Sequence, residues 1–263
     1  MELDDAFSNL PHIPNAEEVV TQLPQDAASY REKMQSLGRA EFGVPYGDSE
    51  RQKYDLLLPE GTPKGLVFYA HAGYWRVFHR TDWSHLAEGA NAQGWAVAIP
   101  SYDLCPAVSI SEITRQMTKA LEAAAVRVEG PIALAGHSAG GQMAARLSVP
   151  GVVTEIVAAR IQGDVCLSPV SDLRPLLKTS MNADFQLDMA AAEAESPVLM
   201  RPLDIPVSVW VGGMELPMFK SQAAALAAAW DCELVEVPDH HHLNVFIGLT
   251  DPDSTLTKTL LQL

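Results

Sequence analysis

From Lys53 onward the chain alternates short apolar, β-branched runs with segments of helical period, almost to its end. The runs are Lys53–Leu58, Gly65–Ala70, Trp95–Ser101, Pro131–Gly136, Arg160–Ser168, Pro206–Gly212 and Cys232–Pro238. Each is continuous rather than alternating, as a strand buried on both faces requires. The intervening segments Asp82–Gln93, Ile110–Val128, Gly140–Ser148, Met218–Trp230 and Asp253–Leu263 are rich in Ala, Leu, Met and Glu. Strand, helix, strand, helix predicts parallel pairing through right-handed crossovers: a three-layer α/β fold, a mostly parallel sheet with helices on both faces. Residues 1–44 are polar and helix-prone, and Pro11, Pro14 and Pro24 break them into pieces. They are expected to form an arm or partial cap on an α/β domain at 45–263. The one long stretch without a strand, Pro169–Leu203, sits where insertions roof a site at the strands' carboxyl ends, so 168–203 is expected to act as a lid.

A chain of 263 residues that is 48% hydrophobic and 19% charged suits one such domain. The net charge of −15 excludes a nucleic-acid surface and docking on anionic lipid, because both need Lys/Arg clusters. It also disfavours strongly anionic substrates, so the expected partner is a neutral or zwitterionic small molecule; a homo-oligomer stays open. Cys105, Cys166 and Cys232 are too widely spaced for a disulfide framework or a metal pair, which points to a reducing compartment. The amino terminus lacks an apolar signal core, and no apolar run could span a bilayer. The expectation is a cytoplasmic protein.

The run Pro131–Gly136 leads into Gly136-His137-Ser138-Ala139-Gly140-Gly141 and then a helical segment, which is G-x-S-x-G between a strand and a helix. A serine on so sharp a turn is forced into a strained backbone conformation that exposes its Oγ. The flanking glycines allow close backbone approach, and the helix start aims free N–H groups at a developing oxyanion. Ser138 is therefore the candidate nucleophile, with the Ala139 amide as one oxyanion donor. Upstream, Gly65–Ala70 runs into His71-Ala72-Gly73-Tyr74-Trp75, whose small residues can offer further amides. His71, Ala72, Gly73, Tyr74 and Trp75 are expected to bind oxyanion or substrate, with Phe78 adding to an aromatic wall.

A serine nucleophile needs a base, and the base an orienting carboxylate. His240, His241 and His242 follow the last strand; adjacent side chains diverge, so they make a poor metal cluster, and no cofactor is called for. Glu215, after Pro206–Gly212, is the candidate acid and Asp172 its rival. The order Ser138, Glu215, His242 suits a serine hydrolase whose nucleophile follows a strand.

These residues carry a resemblance. YGDSERQKYDLLLPEG, HAGYWR, SYDLCP, GHSAGG, SPVSDLRPL, VGGMELPMFKSQ and HHHLNVFIGLTDPDS resemble the kynurenine formamidase (arylformamidase) branch of the α/β-hydrolase esterases, from about Pro45 to Leu256. The resemblance implies Ser138 as nucleophile, Glu215 as acid and His242 as base. It implies hydrolysis of a small acyl amide, N-formylkynurenine to kynurenine and formate, through an acyl-enzyme. Two departures stand out: Ala72 where the family has glycine, and Glu215 where it has aspartate. A carboxylesterase for short acyl esters would use the same residues, and a non-catalytic binding protein on this fold is the alternative of another class.

Overall fold

The apolar runs pair into one sheet. The computed structural model describes residues 3–262 and orders eight strands as β1-β2-β4-β3-β5-β6-β7-β8. They are β1 (Ala40–Pro45), β2 (Lys53–Leu57), β3 (Leu66–Ala70), β4 (Ala96–Pro100), β5 (Ile132–His137), β6 (Ile161–Leu167), β7 (Val207–Gly212) and β8 (Glu233–Val237). The helices are α1 (Ala16–Ser36), α2 (Glu88–Ala92), α3 (Ile110–Arg127), α4 (Ala139–Leu147), α5 (Glu155–Ala158), α6 (Asn182–Phe185), α7 (Met189–Ala194), α8 (Pro217–Trp230) and α9 (Thr255–Gln262). Met1, Glu2 and Leu263, at the ends of the expected arm and last helix, lie outside the described residues.

All seven expected strands are present, and the sheet from β4 to β8 is parallel. Three expectations need correction. An eighth strand, β1, begins at Ala40 inside the stretch assigned to the arm, and both β1–β2 and β2–β4 are antiparallel. Its half-buried residues and a register shift between Glu41 and Val44, with Gly43 at φ 68°, hide it from a search for apolar runs. Pro24 does not break the arm but lies inside the 21-residue α1. Leu23, Ala27, Tyr30 and Met34 make one buried stripe through it, and that packing outweighs the one backbone bond a proline forfeits. Asp82–Gln93 is mostly 3-10 turns, Arg80–Asp82 and Ser84–Ala87, before the five-residue α2.

β3 shows how the sheet builds two cores. Leu66, Phe68 and Ala70 pack with α3 and α4 residues such as Ile113, Met117 and Met143, while Val67 and Tyr69 pack with Leu23, Trp83 and Phe246 on the other face. Buried Asp55 on β2 fastens α1 to the sheet by accepting from Arg31 and from Arg80 Nε at 2.9 Å. The chain steps outward from β3 to β4 and then crosses to β5 on the opposite side. That reversal opens a crevice beyond the carboxyl ends of β3 and β5, the place where open α/β sheets bind ligands. Residues 169–206 contain no strand and cross this end as short helical turns, including α6 and α7. The arm meets them: Ser180 N donates to Asp4 Oδ1 at 2.6 Å, and Leu3 N to the Lys178 carbonyl at 3.4 Å.

Candidate active site

Ser138 lies between β5 and α4 with φ 58° and ψ −117°, a conformation sparsely populated by non-glycine residues. Three backbone bonds hold it there. Its N–H donates to the Leu167 carbonyl at 2.8 Å, and its carbonyl accepts from Gln142 N at 3.1 Å and Val170 N at 3.3 Å. The glycines are sterically required. A Cβ on Gly136 would fall 2.0 Å from the Gly140 carbonyl oxygen, and one on Gly140 would fall 2.0 Å from that of Ala70. The start of α4 is thereby pressed onto the end of β3, which brings the Ala139 amide to the loop that β3 feeds.

In that loop, His71 is sealed in the interior and stacks on Tyr102 with ring centres 4.6 Å apart. Its Nδ1–H donates to the Ala72 carbonyl at 2.7 Å. Burial drives the His71 pKa down to about 3, so the imidazole is neutral. Because a trans peptide points C=O and N–H in opposite directions, pinning the Ala72 carbonyl fixes the Gly73 N–H on the other side. Among the described residues, the amides of Ala72, Gly73 and Ala139 donate to no backbone carbonyl, which leaves three donors uncommitted. Ala72 keeps a negative φ, which alanine adopts without strain, whereas Gly73 sits at φ 121°.

His242 Nδ1 lies 2.7 Å from Glu215 Oε2. The other oxygen, Oε1, accepts from the Gly212 amide at 2.8 Å and from the Ser168 hydroxyl. Burial raises the Glu215 pKa, but the His242 imidazole and these donors outweigh it and hold the carboxyl below its ordinary value. The Glu215 side chain folds back onto its own turn to reach the Gly212 amide. Asp172, the rival acid, is occupied by Arg174 at 2.9 and 2.7 Å and bonds no histidine. The three histidines diverge: His240 Nδ1 bonds the Pro238 carbonyl, and His241 Nδ1 accepts from Leu243 N.

Ser138 and His242 border one cavity of about 620 Å³. Among the described residues, the Ser138 hydroxyl makes no hydrogen bond, and Ser138 borders this cavity. Ala72, Gly73, Tyr74, Phe78 and Trp83 form part of its wall, Met181 comes from the roof, and Phe7 and Leu10 come from the arm. Two expected substrate-binding residues do not reach it. His71 orients the loop from behind. Trp75, at φ 55°, turns into the core, where Nε1 donates to Gln142 Oε1 at 3.3 Å and the ring meets Phe185 edge-on at 5.6 Å.

Some of the site escaped the sequence reading. Ser168 steadies Glu215 from the end of β6; parallel pairing of β6 with β7 places it there, a clue available from strand order alone. His137 also borders the cavity, its ring centre 4.6 Å from that of His242, and burial holds its pKa well below the ordinary value, so it stays neutral. Phe7 packs edge-on against Phe219 at 6.2 Å, and Phe219 lies 4.4 Å from the His242 ring. No local pattern marks Phe7. Among the described residues, no helix is long and apolar enough to cross a membrane.

Known proteins are similar to this chain to differing depths. A family model described as the alpha/beta hydrolase fold matches residues 67–243. The kynurenine formamidase of Salmo salar is 27% identical, with 100% of this chain and 95% of the relative covered. A candidate thioesterase from Silicibacter sp. TM1040, known as a crystal structure, is 50% identical with a TM-score of 0.97 over 99% of both chains. Esterase B of Lactobacillus rhamnosis shares the fold at 18% identity, with a TM-score of 0.68 over 94% of this chain and 93% of that one.

Proposed function

This chain belongs to the alpha/beta-hydrolase family, and on that premise we propose that it is a serine hydrolase of the arylformamidase type, converting N-formylkynurenine to kynurenine and formate. The observation that carries the reading is the buried Glu215–His242 pair at 2.7 Å behind the cavity that Ser138 borders. Ser138 Oγ attacks the formyl carbonyl as His242 Nε2 takes its proton. Glu215 stays ionised, holds the imidazole with its Nδ1 protonated and stabilises the imidazolium. The oxyanion settles among the amides of Ala72, Gly73 and Ala139, where one such donor is worth about 3–4 kcal/mol. His242 then protonates the departing aryl amine. Water, activated by the same histidine, attacks the formyl-enzyme and releases formate. The aromatic wall of Tyr74, Phe78 and Trp83 suits an aryl leaving group. The free Cys105, Cys166 and Cys232 support a reducing, cytoplasmic setting.

The second reading, a carboxylesterase or thioesterase for short acyl groups, draws on the candidate thioesterase at 50% identity. Competing hydrolysis of N-formylkynurenine and 4-nitrophenyl acetate separates the two, because negligible formamide turnover would leave only the ester reading. A serine-directed phosphonate should label Ser138. A protein left unlabelled would instead be a binding protein on this fold.

A further inference from the structure

We infer that Arg76 is a specificity-determining residue that binds a carboxylate carried by the substrate. The inference rests on reading this cavity as the hydrolytic centre. Among the described residues that border the cavity, Arg76 is the one lysine or arginine. Its backbone is tied to the turn that offers the oxyanion donors, since Arg76 N donates to the Gly73 carbonyl at 2.9 Å.

The guanidinium is underused. Nη1 donates to Asp184 Oδ2 at 2.7 Å, and among the described residues the buried Nε has no partner and Nη2 makes no hydrogen bond. A guanidinium has five N–H donors in a planar fork shaped for a carboxylate. Here one face of that fork is taken by a single oxygen of a roof residue, while the cation stands 5.6 Å over the Phe185 ring. Asp184 is 41% exposed, so returning its carboxylate to water costs little when a substrate anion takes its place. The balance of charge limits the ligand to one negative group. Asp4 and Asp5 border the same cavity, and the chain carries 33 acidic against 18 basic residues. The fitting class is an aryl compound with one carboxylate on a short chain.

A purely structural ion pair, tying α6 to the Gly73 turn, would affect every ligand alike. The test therefore compares 4-phenylbutyrate with 4-phenylbutyramide as inhibitors of 4-nitrophenyl acetate hydrolysis by the full chain. The carboxylate should bind wild type at least about tenfold more tightly than the amide, as a charge-assisted pair predicts. Arg76→Gln should bring the ratio of inhibition constants to about one, and Arg76→Lys should restore part of it. A ratio of about one in wild type, or a preference that survives Arg76→Gln, overturns the inference. So does a loss in Arg76→Gln that is equal for both inhibitors. The readout does not need formamidase activity, so failure on N-formylkynurenine would count against the proposed substrate and leave the Arg76 result to be read on its own.

Discussion

Nδ1 of His242 lies 2.7 Å from Oε2 of Glu215, while the other oxygen of that carboxylate is already committed to Gly212 and Ser168. The carboxylate is thus held by its own turn and by a neighbouring strand as well as by the histidine. Replacing Glu215 with Gln keeps the shape but removes the charge and favours the wrong imidazole tautomer. Its kcat on 4-nitrophenyl acetate should fall by about 10⁴, as loss of the carboxylate does in a comparable triad. A fall of less than tenfold would show that another group orients His242.

Ser168→Ala deletes a hydroxyl donor to a buried carboxylate. Glu215 is held below its ordinary pKa partly by that donor, so its pKa must rise in the variant. A carboxylate required in its ionised form is then lost earlier on acidification. The acid limb of kcat/KM should move to higher pH, with a smaller effect near neutrality. An unshifted profile would remove Ser168 from the positioning of Glu215.

Gly140→Ala puts a methyl 2.0 Å from the Ala70 carbonyl oxygen, on backbone that cannot swing aside. Overpacking of this kind costs about 3 kcal/mol or more, which corresponds to a Tm lower by about 10 °C in a domain of this size. Esterase activity should vanish with it, because relieving the clash moves the Ala139 amide. Thermal melting with an activity assay checks both.

Asp164 on β6 is buried; Oδ2 accepts from Ser148 Oγ at 2.8 Å, and Oδ1 has no partner among the described residues. Burial raises its pKa to about 7, against the pull of its two hydrogen-bond donors, Ser148 and Cys166. The unfolded chain loses this proton near its ordinary value of 3.8, and the folded chain holds it to about 7. Stability therefore declines with rising pH across that interval and then levels off. Asp164→Asn cannot ionise, so its stability relative to wild type should grow by a few kcal/mol between pH 4 and pH 8. Urea denaturation at the two pH values measures this, and a constant difference would mean that Asp164 is charged in the fold.

Tyr74 OH donates to the Phe7 carbonyl at 2.7 Å and joins the arm to the wall of the cavity. Tyr74→Phe leaves that carbonyl without its donor, at a cost of about 1–3 kcal/mol. Amide hydrogen exchange at residues 5–12 should accelerate while β5 and β6 stay protected. Unchanged exchange would show that the arm is held by Phe7 packing and the roof contacts alone.

The alternation of buried strands with helical segments and the strained serine turn were legible because each depends on neighbours in the chain. Strand burial follows from continuous apolar runs, and the Gly136 and Gly140 requirement follows from a turn a few residues long. What was not legible depends on distant partners. β1 is half-buried and irregular, so pairing with β2 rather than composition makes it a strand. Pro24 stays helical because the sheet and Trp83 face of the core buries its stripe. Glu215 is the expected acid and Asp172 its rival, both following strands; what separates them is tertiary, since Glu215 Oε2 lies 2.7 Å from His242 Nδ1 while Asp172 is held by Arg174. His71 and Trp75 share one short turn with Ala72, Gly73 and Tyr74, and only positive φ angles at Gly73, Tyr74 and Trp75 decide which side chains meet the cavity. The sequence by itself determined the kind of sheet and the strained serine turn at its centre, because those are encoded in periodicity and in a few neighbouring residues. Tertiary structure alone decided what surrounds that turn, because walls built from Phe7, Arg76 and Met181 are assembled from segments far apart in the chain.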